Sequence, residues 1–178
     1  FRCNLACSHC LFECSSSYTG FPDMTTEAAT RYATDAAAHG ITNFYITGGE
    51  PLLWQPLRRF VQRLAAMPET ATITLLTNGT LINEDWATFF GGCEKLSLRI
   101  SLECYTEQTN DSYRGAGSFR KTVSGIKELN KRGIQPWICY TSKSGGKLDI
   151  DDAKSLEHDF KTALHRDHSI EIHGLKVL

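Results

Sequence analysis

The first ten residues, Phe-Arg-Cys-Asn-Leu-Ala-Cys-Ser-His-Cys, constrain this chain more than any other stretch. Cys3, Cys7 and Cys10 stand at C-x3-C-x2-C spacing, so their thiolates can converge on one small metal centre. Three cysteines are one short of the four that close a cubane iron–sulfur cluster. A cluster held by three leaves an iron with an open position. An open position means chemistry, as it does at zinc sites with three protein ligands. Cys14 extends the run to C-x3-C-x2-C-x3-C and keeps a second reading open. That reading is a closed four-cysteine site, either in an iron–sulfur electron carrier or in a metal-binding α/β module. For zinc, the spacing lacks the paired C-x2-C knuckles usual in structural sites.

Composition narrows the class. A chain of 178 residues is most simply one domain and is long enough for a real core. A net charge of -1, with no Lys/Arg block, gives no sign of the basic surface of a nucleic-acid-binding protein. No apolar run approaches the roughly 18 residues of a membrane span. The seven cysteines are odd in number, and apart from the opening cluster they are scattered. That is a poor disulfide framework and a better metal-site pattern for a reducing compartment, so a cytoplasmic protein is expected. The chain starts on Phe1 rather than Met, almost on top of its cysteine motif, and ends in an apolar run. It is therefore expected to be a piece of a longer protein, truncated at both ends.

Strand and helix signals alternate along the sequence. Helices are expected over 26–39 (capped by Thr25, with Gly40 past its end), 56–66, 83–90, 118–132 (capped by Ser118) and from Asp151 or Asp152 to about 165. Strands are expected over 41–47, 71–77, 95–103 and 134–141, with a fifth starting at 169–172. Apolar strands joined by helices of this length indicate a parallel sheet covered by helices. The choice lies between a doubly wound sheet and a (β/α) barrel. A full eight-unit barrel takes about 200 residues or more, so the chain fits a partial, incomplete TIM-like barrel.

The third strand favours the barrel. Leu96, Leu98, Ile100 and Leu102 share one face, and Ser97, Arg99, Ser101 and Glu103 share the other. A strand in a doubly wound sheet is usually apolar on both faces, whereas one polar face suits a wet interior. An edge strand facing solvent would read the same way.

Ligands of α/β folds bind beyond the carboxyl ends of the strands. Gly48-Gly49-Glu50-Pro51 ends one strand, Thr77-Asn78-Gly79 the next, and Ser101 and Glu103 the third. Paired glycines let a ligand approach the backbone closely, and a neighbouring carboxylate can hold an ammonium group. The same residues also make ordinary strand-end turns.

In this order the motifs resemble the radical S-adenosylmethionine (SAM) superfamily. The resemblance begins with Cys3-x3-Cys7-x2-Cys10 and a strand ending Thr47-Gly48-Gly49-Glu50-Pro51-Leu52-Leu53. It continues through Leu76-Thr77-Asn78-Gly79-Thr80-Leu81, Ile100-Ser101-Leu102-Glu103, Tyr113-Arg114-Gly115 and Gly117-Ser118-Phe119. The closest character is that of members that modify peptides or build cofactors.

The resemblance implies roles. Cys3, Cys7 and Cys10 would bind three irons of a [4Fe–4S] cluster, and the amino and carboxylate groups of SAM would chelate the fourth. Gly48, Gly49 and Glu50 would receive the SAM ammonium. Ser101 and Glu103 would face the ribose or carboxylate, with Thr77 in the same pocket. Arg114 would pair with the carboxylate, since a guanidinium can bind both oxygens. His9 holds a position where the family often has an aromatic residue near adenine, and Glu103 one where it often has Asp. The implied reaction passes one electron into the sulfonium, breaks the C5′–S bond, and releases methionine and a 5′-deoxyadenosyl radical that abstracts hydrogen from a substrate. It implies a flavodoxin- or ferredoxin-like electron donor and a peptide or small-molecule substrate, with no membrane or nucleic acid involved.

Two residues carry competing readings. Cys104 is either a hydrogen-atom donor or auxiliary-cluster ligand, or simply a small buried hydrophobe. Arg114 has Asp111 nearby in sequence, and the two would otherwise make a surface pair worth little. Cys14 is tested directly. In a three-cysteine enzyme core, Cys14→Ala is expected to keep the cluster's absorbance and SAM cleavage. A closed four-cysteine carrier would lose or downgrade its cluster.

Overall fold

The computed structural model describes residues 2–141 and 149–177. Strands β1 (Asn43–Ile46), β2 (Thr72–Thr77), β3 (Leu96–Ser101), β4 (Trp137–Tyr140) and β5 (Gly174–Val177) form one sheet. They alternate with helices α1 (Thr26–Ala38), α2 (Leu57–Ala66), α3 (Glu84–Gly91), α4 (Glu107–Arg114), α5 (Ser118–Asn130) and α6 (Ile150–His168). A short 3₁₀ turn, Pro51–Leu53, follows β1.

Every neighbouring pair is parallel, and the spatial order is the sequence order. A doubly wound sheet reverses its strand order at a switch point, and this one does not. Right-handed crossovers between successive neighbours put every connecting helix on the same face. The result is an open, partial (β/α) barrel, in agreement with the sequence expectation.

The register assigns each face. Phe44, Ile46, Ile73, Leu75, Leu98, Ile100, Ile138 and Leu175 lie on the helix side and belong to the core or pack against it. They meet Leu57, Val61 and Leu64 of α2, Phe90 of α3, Phe119, Ile126 and Leu129 of α5, and Phe160 and Leu164 of α6. Burying one such side chain stabilises by about 1.5–3 kcal/mol, so this layer dominates stability. The opposite face carries four cross-strand rows. They are Asn43–Thr72, Tyr45–Thr74–Ser97, Leu76–Arg99–Trp137–Gly174 and Ser101–Cys139–Lys176.

Local signals explain most boundaries. Thr25 Oγ1 accepts from Ala28 N at 3.1 Å and opens α1. Gly40 at φ +83° closes it, with Ile41 N reaching back to the Ala36 carbonyl. Asn83 caps α3 as expected, accepting from Trp86 N at 2.9 Å.

Four expectations are corrected. Helix α4 was not anticipated, because its sequence is polar throughout and shows no apolar period. Ser118 does not cap α5 but is its first residue, and Gly117 stands at the cap. The capping acceptor comes from α4: Asp111 receives Gly117 N at 2.5 Å, Phe119 N at 2.8 Å and Ser118 Oγ at 2.9 Å. Helix α6 starts at Ile150 behind the Asp149 cap and runs to His168. The 169–172 segment is therefore not a strand. Ser169 ends α6 in the left-handed region, Ile170 and Ile172 bury in the connection, and β5 begins at Gly174.

Helix α5 crosses the turn after β2 at close range. Thr122 Oγ1 donates to the Asn78 carbonyl at 2.9 Å. One turn on, a Cβ at Gly125 would lie 2.5 Å from the Gly79 carbonyl oxygen and 3.0 Å from Ile82 Cβ. Alanine usually favours a helix over glycine by about 0.8–1 kcal/mol. Here the contact is with backbone, so overpacking wins. Gly125→Ala is expected to lower stability by about 1–3 kcal/mol, read as a lower urea midpoint with an unchanged slope.

Candidate functional site

The cysteine loop lies across the carboxyl ends of β1, β2 and β3, held at four places. Arg2 pairs with Ser15 to close the loop, and Cys3 N donates to the Ser15 carbonyl at 3.1 Å. At the end of β1, Glu50 N donates to the Arg2 carbonyl at 2.9 Å. Beyond β2, Asn78 Nδ2 donates to Asn4 Oδ1 at 3.0 Å, and Asn4 Nδ2 donates to Thr80 Oγ1 at 2.8 Å. From α4, the Tyr113 carbonyl accepts from Ser8 N at 2.9 Å. Beyond β3, His9 Nε2 and Glu103 Oε1 stand 3.1 Å apart.

Cys3, Cys7, Cys10 and Cys14 are all free thiols. Cys3 accepts from Leu5 N at 3.4 Å and lies 3.7 Å from Asn78 Nδ2. Burial nevertheless pushes the Cys3 thiol up, with the Glu50 and Cys10 charges adding to it. Burial also raises Cys7, against the pull of the Arg114 guanidinium, whose Nη1 lies 3.9 Å from Cys7 Sγ. For Cys10, burial is outweighed by hydrogen bonds from the amides of Cys14, Phe12 and Glu13 and from the Cys14 thiol, so Cys10 is lowered. Cys14 is its complement. Burial, the Cys10 charge and the bond to Cys10 push Cys14 up to about 11.

Glu103 is the deepest charge in the region, with its side chain fully buried. Oε1 accepts from Arg114 Nη2 at 2.6 Å, and Oε2 accepts from Thr141 N at 3.2 Å. Glu103 N donates to Asn110 Oδ1 at 3.0 Å, and Asn110 Nδ2 donates to Ser118 Oγ at 3.0 Å. Arg114 thus pairs with Glu103, while Asp111 is spent on capping α5, so the surface Asp111–Arg114 pair does not form.

Glu50 is also buried, which raises its carboxyl despite three hydrogen bonds and the Arg114 charge. Its oxygens receive Thr77 Oγ1 at 2.7 Å, Asn78 N at 2.8 Å and Leu52 N at 3.0 Å. The side chains of Glu50 and Thr77 therefore lock the ends of β1 and β2 together. The Glu50 backbone is engaged too, with N donating to the Arg2 carbonyl at 2.9 Å and the carbonyl accepting from Leu53 N at 3.1 Å. Gly48 and Gly49 sit half-buried just before it, and a Cβ at Gly48 would meet nothing within 4 Å. Ser101 is half-buried on the inner face. Cys104 follows Glu103 but turns to Thr106 Oγ1 at 3.4 Å, and among the described residues no hydrogen bond joins it to the cysteine loop.

These residues fit a cluster and a chelating amino acid by their chemistry. Three thiols share one short loop and raise one another's cost of ionisation. His9 Nδ1 and Arg114 Nε beside them are buried without hydrogen-bond partners among the described residues. Open space stands over Gly48. No three Cys, His, Asp or Glu side chains among the described residues gather tightly enough for a single metal ion. A four-iron cluster asks something different, since each cysteine binds its own iron. Asn4 and Asn78 escaped sequence reasoning, although Asn78 sits in the strand-end Thr-Asn-Gly turn and Asn4 inside the cysteine motif.

A cavity of about 540 Å³ adjoins this site, between α1, β1 and the loop before α1, and Gly48, Gly49 and Glu50 line its near side. Its walls are mainly apolar, including Ala29, Ala33, Phe44 and Phe60, and none of Cys3, Cys7, Cys10, Glu103 or Arg114 lines it.

Comparison with known proteins places the chain. The radical SAM superfamily model matches residues 1–158. The chain belongs to the radical SAM superfamily. It is 32% identical over 161 residues to a GTP 3′,8-cyclase of Peptoclostridium acidaminophilum, covering 89% of this chain and 49% of that protein. It is 33% identical over 156 residues to the mycofactocin maturase MftC of Mycobacterium ulcerans, covering 84% of this chain and 40% of that protein. Among solved structures, Streptococcus suis SuiB bound to S-adenosylmethionine has the same fold, with a TM-score of 0.72 and 18% identity over 99% of this chain and 38% of that one. The chain therefore spans half or less of the length of these relatives. No helix among the described residues is long and apolar enough to cross a membrane.

The Glu103–Arg114 pair makes a sharp test. Removing one partner of a buried pair leaves an uncompensated charge. Arg114→Met is expected to destabilise the cluster-free protein by about 3–5 kcal/mol in urea unfolding. The double variant Glu103→Gln/Arg114→Met, which carries no charge, is expected to recover part of that loss. Equal losses in both would remove the ion pair from the account.

Proposed function

We propose that this chain is the SAM-cleaving core of a radical enzyme acting on a peptide or a cofactor precursor. Cys3, Cys7 and Cys10 would hold a [4Fe–4S] cluster, leaving one iron for SAM. When bound, the two cofactors supply a one-electron cleavage of SAM that yields methionine and a carbon radical for hydrogen abstraction. The observation that carries the reading is the latched cysteine loop. It holds free thiols above the carboxyl ends of three strands, where ligands of such folds bind.

The chain's own residues would divide the remaining work. The backbone of Gly48 and Gly49 receives an ammonium group. Glu50 and Thr77 fix that turn through their mutual hydrogen bond. Ser101 faces the ribose or carboxylate. His9 and Arg114 offer buried, unpartnered nitrogens, Nδ1 and Nε, to adenine and carboxylate. Glu103 stands behind both and sets their orientation. Cys14 N donates to Cys10 Sγ at 3.3 Å, which supports Cys10 as the thiolate ligand, because the thiolate is the form that binds metal. Cys104 has only a weak claim to a hydrogen-atom donor role, given its turn toward Thr106.

A flavodoxin- or ferredoxin-like protein would deliver the electron, in a reducing cytoplasm. A peptide substrate draws support from SuiB, which has also been solved bound to its precursor peptide SuiA.

The test is anaerobic reconstitution of the protein with iron and sulfide, followed by SAM and dithionite. Cluster absorbance and 5′-deoxyadenosine are the expected products. Absence of both would overturn the proposal.

A further inference from the structure

Below the cysteine loop, the inner face of the sheet carries two cations that make no ion pair among the described residues, although the field of Lys176 reaches Glu157 on α6. Arg99 stands on β3 and Lys176 on β5, flanking β4 on the same face. Arg99 Nη2 donates to Tyr45 Oη at 3.3 Å, and its guanidinium lies 5.1 Å from the centre of the Tyr45 ring. Arg99 Nε is buried with no hydrogen-bond partner among the described residues. Lys176 Nζ lies 4.0 Å from the centre of the Trp137 ring.

Gly174 makes that placement possible, since a Cβ there would come within 2.7 Å of the Trp137 ring. Among the described residues, neither cation has a carboxylate within 4.0 Å, whereas the third nearby cation, Arg114, is answered by Glu103. Burial pushes the Cys139 thiol up, and both Arg99 and Lys176 pull it back, so both fields reach the middle of β4.

A buried guanidinium N–H without an acceptor, such as Arg99 Nε, is costly unless a ligand supplies one. Tyrosine and tryptophan rings hold both cations without neutralising them. Two strand spacings separate β3 from β5 by about 10 Å, a gap that two long side chains can close around a small anion.

We propose that Arg99 and Lys176 form a subsite for an anionic oxygen group of the substrate, a carboxylate or a phosphate. The proposal rests on reading this face as the substrate chamber of the enzyme described above. Lys176 shares its row with Ser101, one row nearer the cysteine loop than Arg99, so an anion held between the two cations would lie directly beside the cofactor site.

Isothermal titration calorimetry of the reconstituted protein with inorganic pyrophosphate, and separately with glutarate, tests it. At least one probe is expected to bind. Binding of pyrophosphate alone assigns a phosphate, and of glutarate alone a carboxylate. Arg99→Gln and Lys176→Gln are each expected to weaken binding about tenfold or more, the loss of a charge-assisted bond. Arg99→Lys keeps the charge but not the fork, and carries the test if Arg99→Gln fails to fold. Lys154→Gln, on the exposed side of α6, is the control.

No binding of either probe to the wild type overturns the proposal. So does unchanged affinity in variants whose circular dichroism matches the wild type. Measuring 5′-deoxyadenosine on the same wild-type preparation separates the two readings. Anion binding without 5′-deoxyadenosine sinks the enzyme and keeps the subsite, and the reverse result sinks only the subsite.

Discussion

The carboxylate of Glu103 is the interaction on which the rest of the site depends. It is fully buried, so its charge must be met in place. Arg114 from α4, His9 from the cysteine loop and the amide of Thr141 after β4 all meet it. One side chain thereby ties three separate pieces of chain to the end of β3. Arg114 passes the link on to Cys7, and the amide of Glu103 passes it through Asn110 to the start of α5. A loop with no secondary structure of its own is held still by a charge that has nowhere else to go.

Strand order supplies the second constraint. Because successive strands are parallel neighbours, joined by crossovers that are right-handed as a rule, the helices cover the apolar face and leave the more polar one open. The sequence of β3 announces this division by strict alternation. Leu98, Ile100 and Leu102 are buried beneath the helices, while Ser97, Arg99 and Ser101 stand half-buried opposite. Glu103, next on that polar face, is not wet. It is the most enclosed member because the cysteine loop and α4 close over the strand ends there. Arg99 and Lys176 lie further from that cover, and among the described residues neither has a carboxylate within 4.0 Å.

Legibility followed the range of the signals. The strands, the helix caps of Thr25 and Asn83, and the Gly40 stop were readable because each rests on residues within a few positions of one another. Helix α4 was not, since Glu-Gln-Thr-Asn-Asp-Ser-Tyr-Arg carries no apolar stripe, and tertiary contacts through Asn110 and Arg114 hold it. The cap of α5 went to Asp111 rather than Ser118 because a carboxylate folded back from the preceding helix outcompeted the adjacent hydroxyl. The last strand was placed too early because α6 ran on to His168 and its apolar successors, Ile170 and Ile172, bury without pairing.

The sequence by itself determined the class of fold, through alternating strand and helix signals, and the family, through cysteine spacing and motif order. It also determined which side chains share a face, because that follows from a period of two along a strand. Only the tertiary structure decided which of those side chains meet. Glu50 closes on Thr77 and Asn78, Glu103 on His9 and Arg114, and Asn4 on Asn78 and Thr80, across separations of 11 to 94 residues. Periodicity tells a residue its direction, whereas its partner is set by how strands and helices stack, and that information resides in no single stretch of chain.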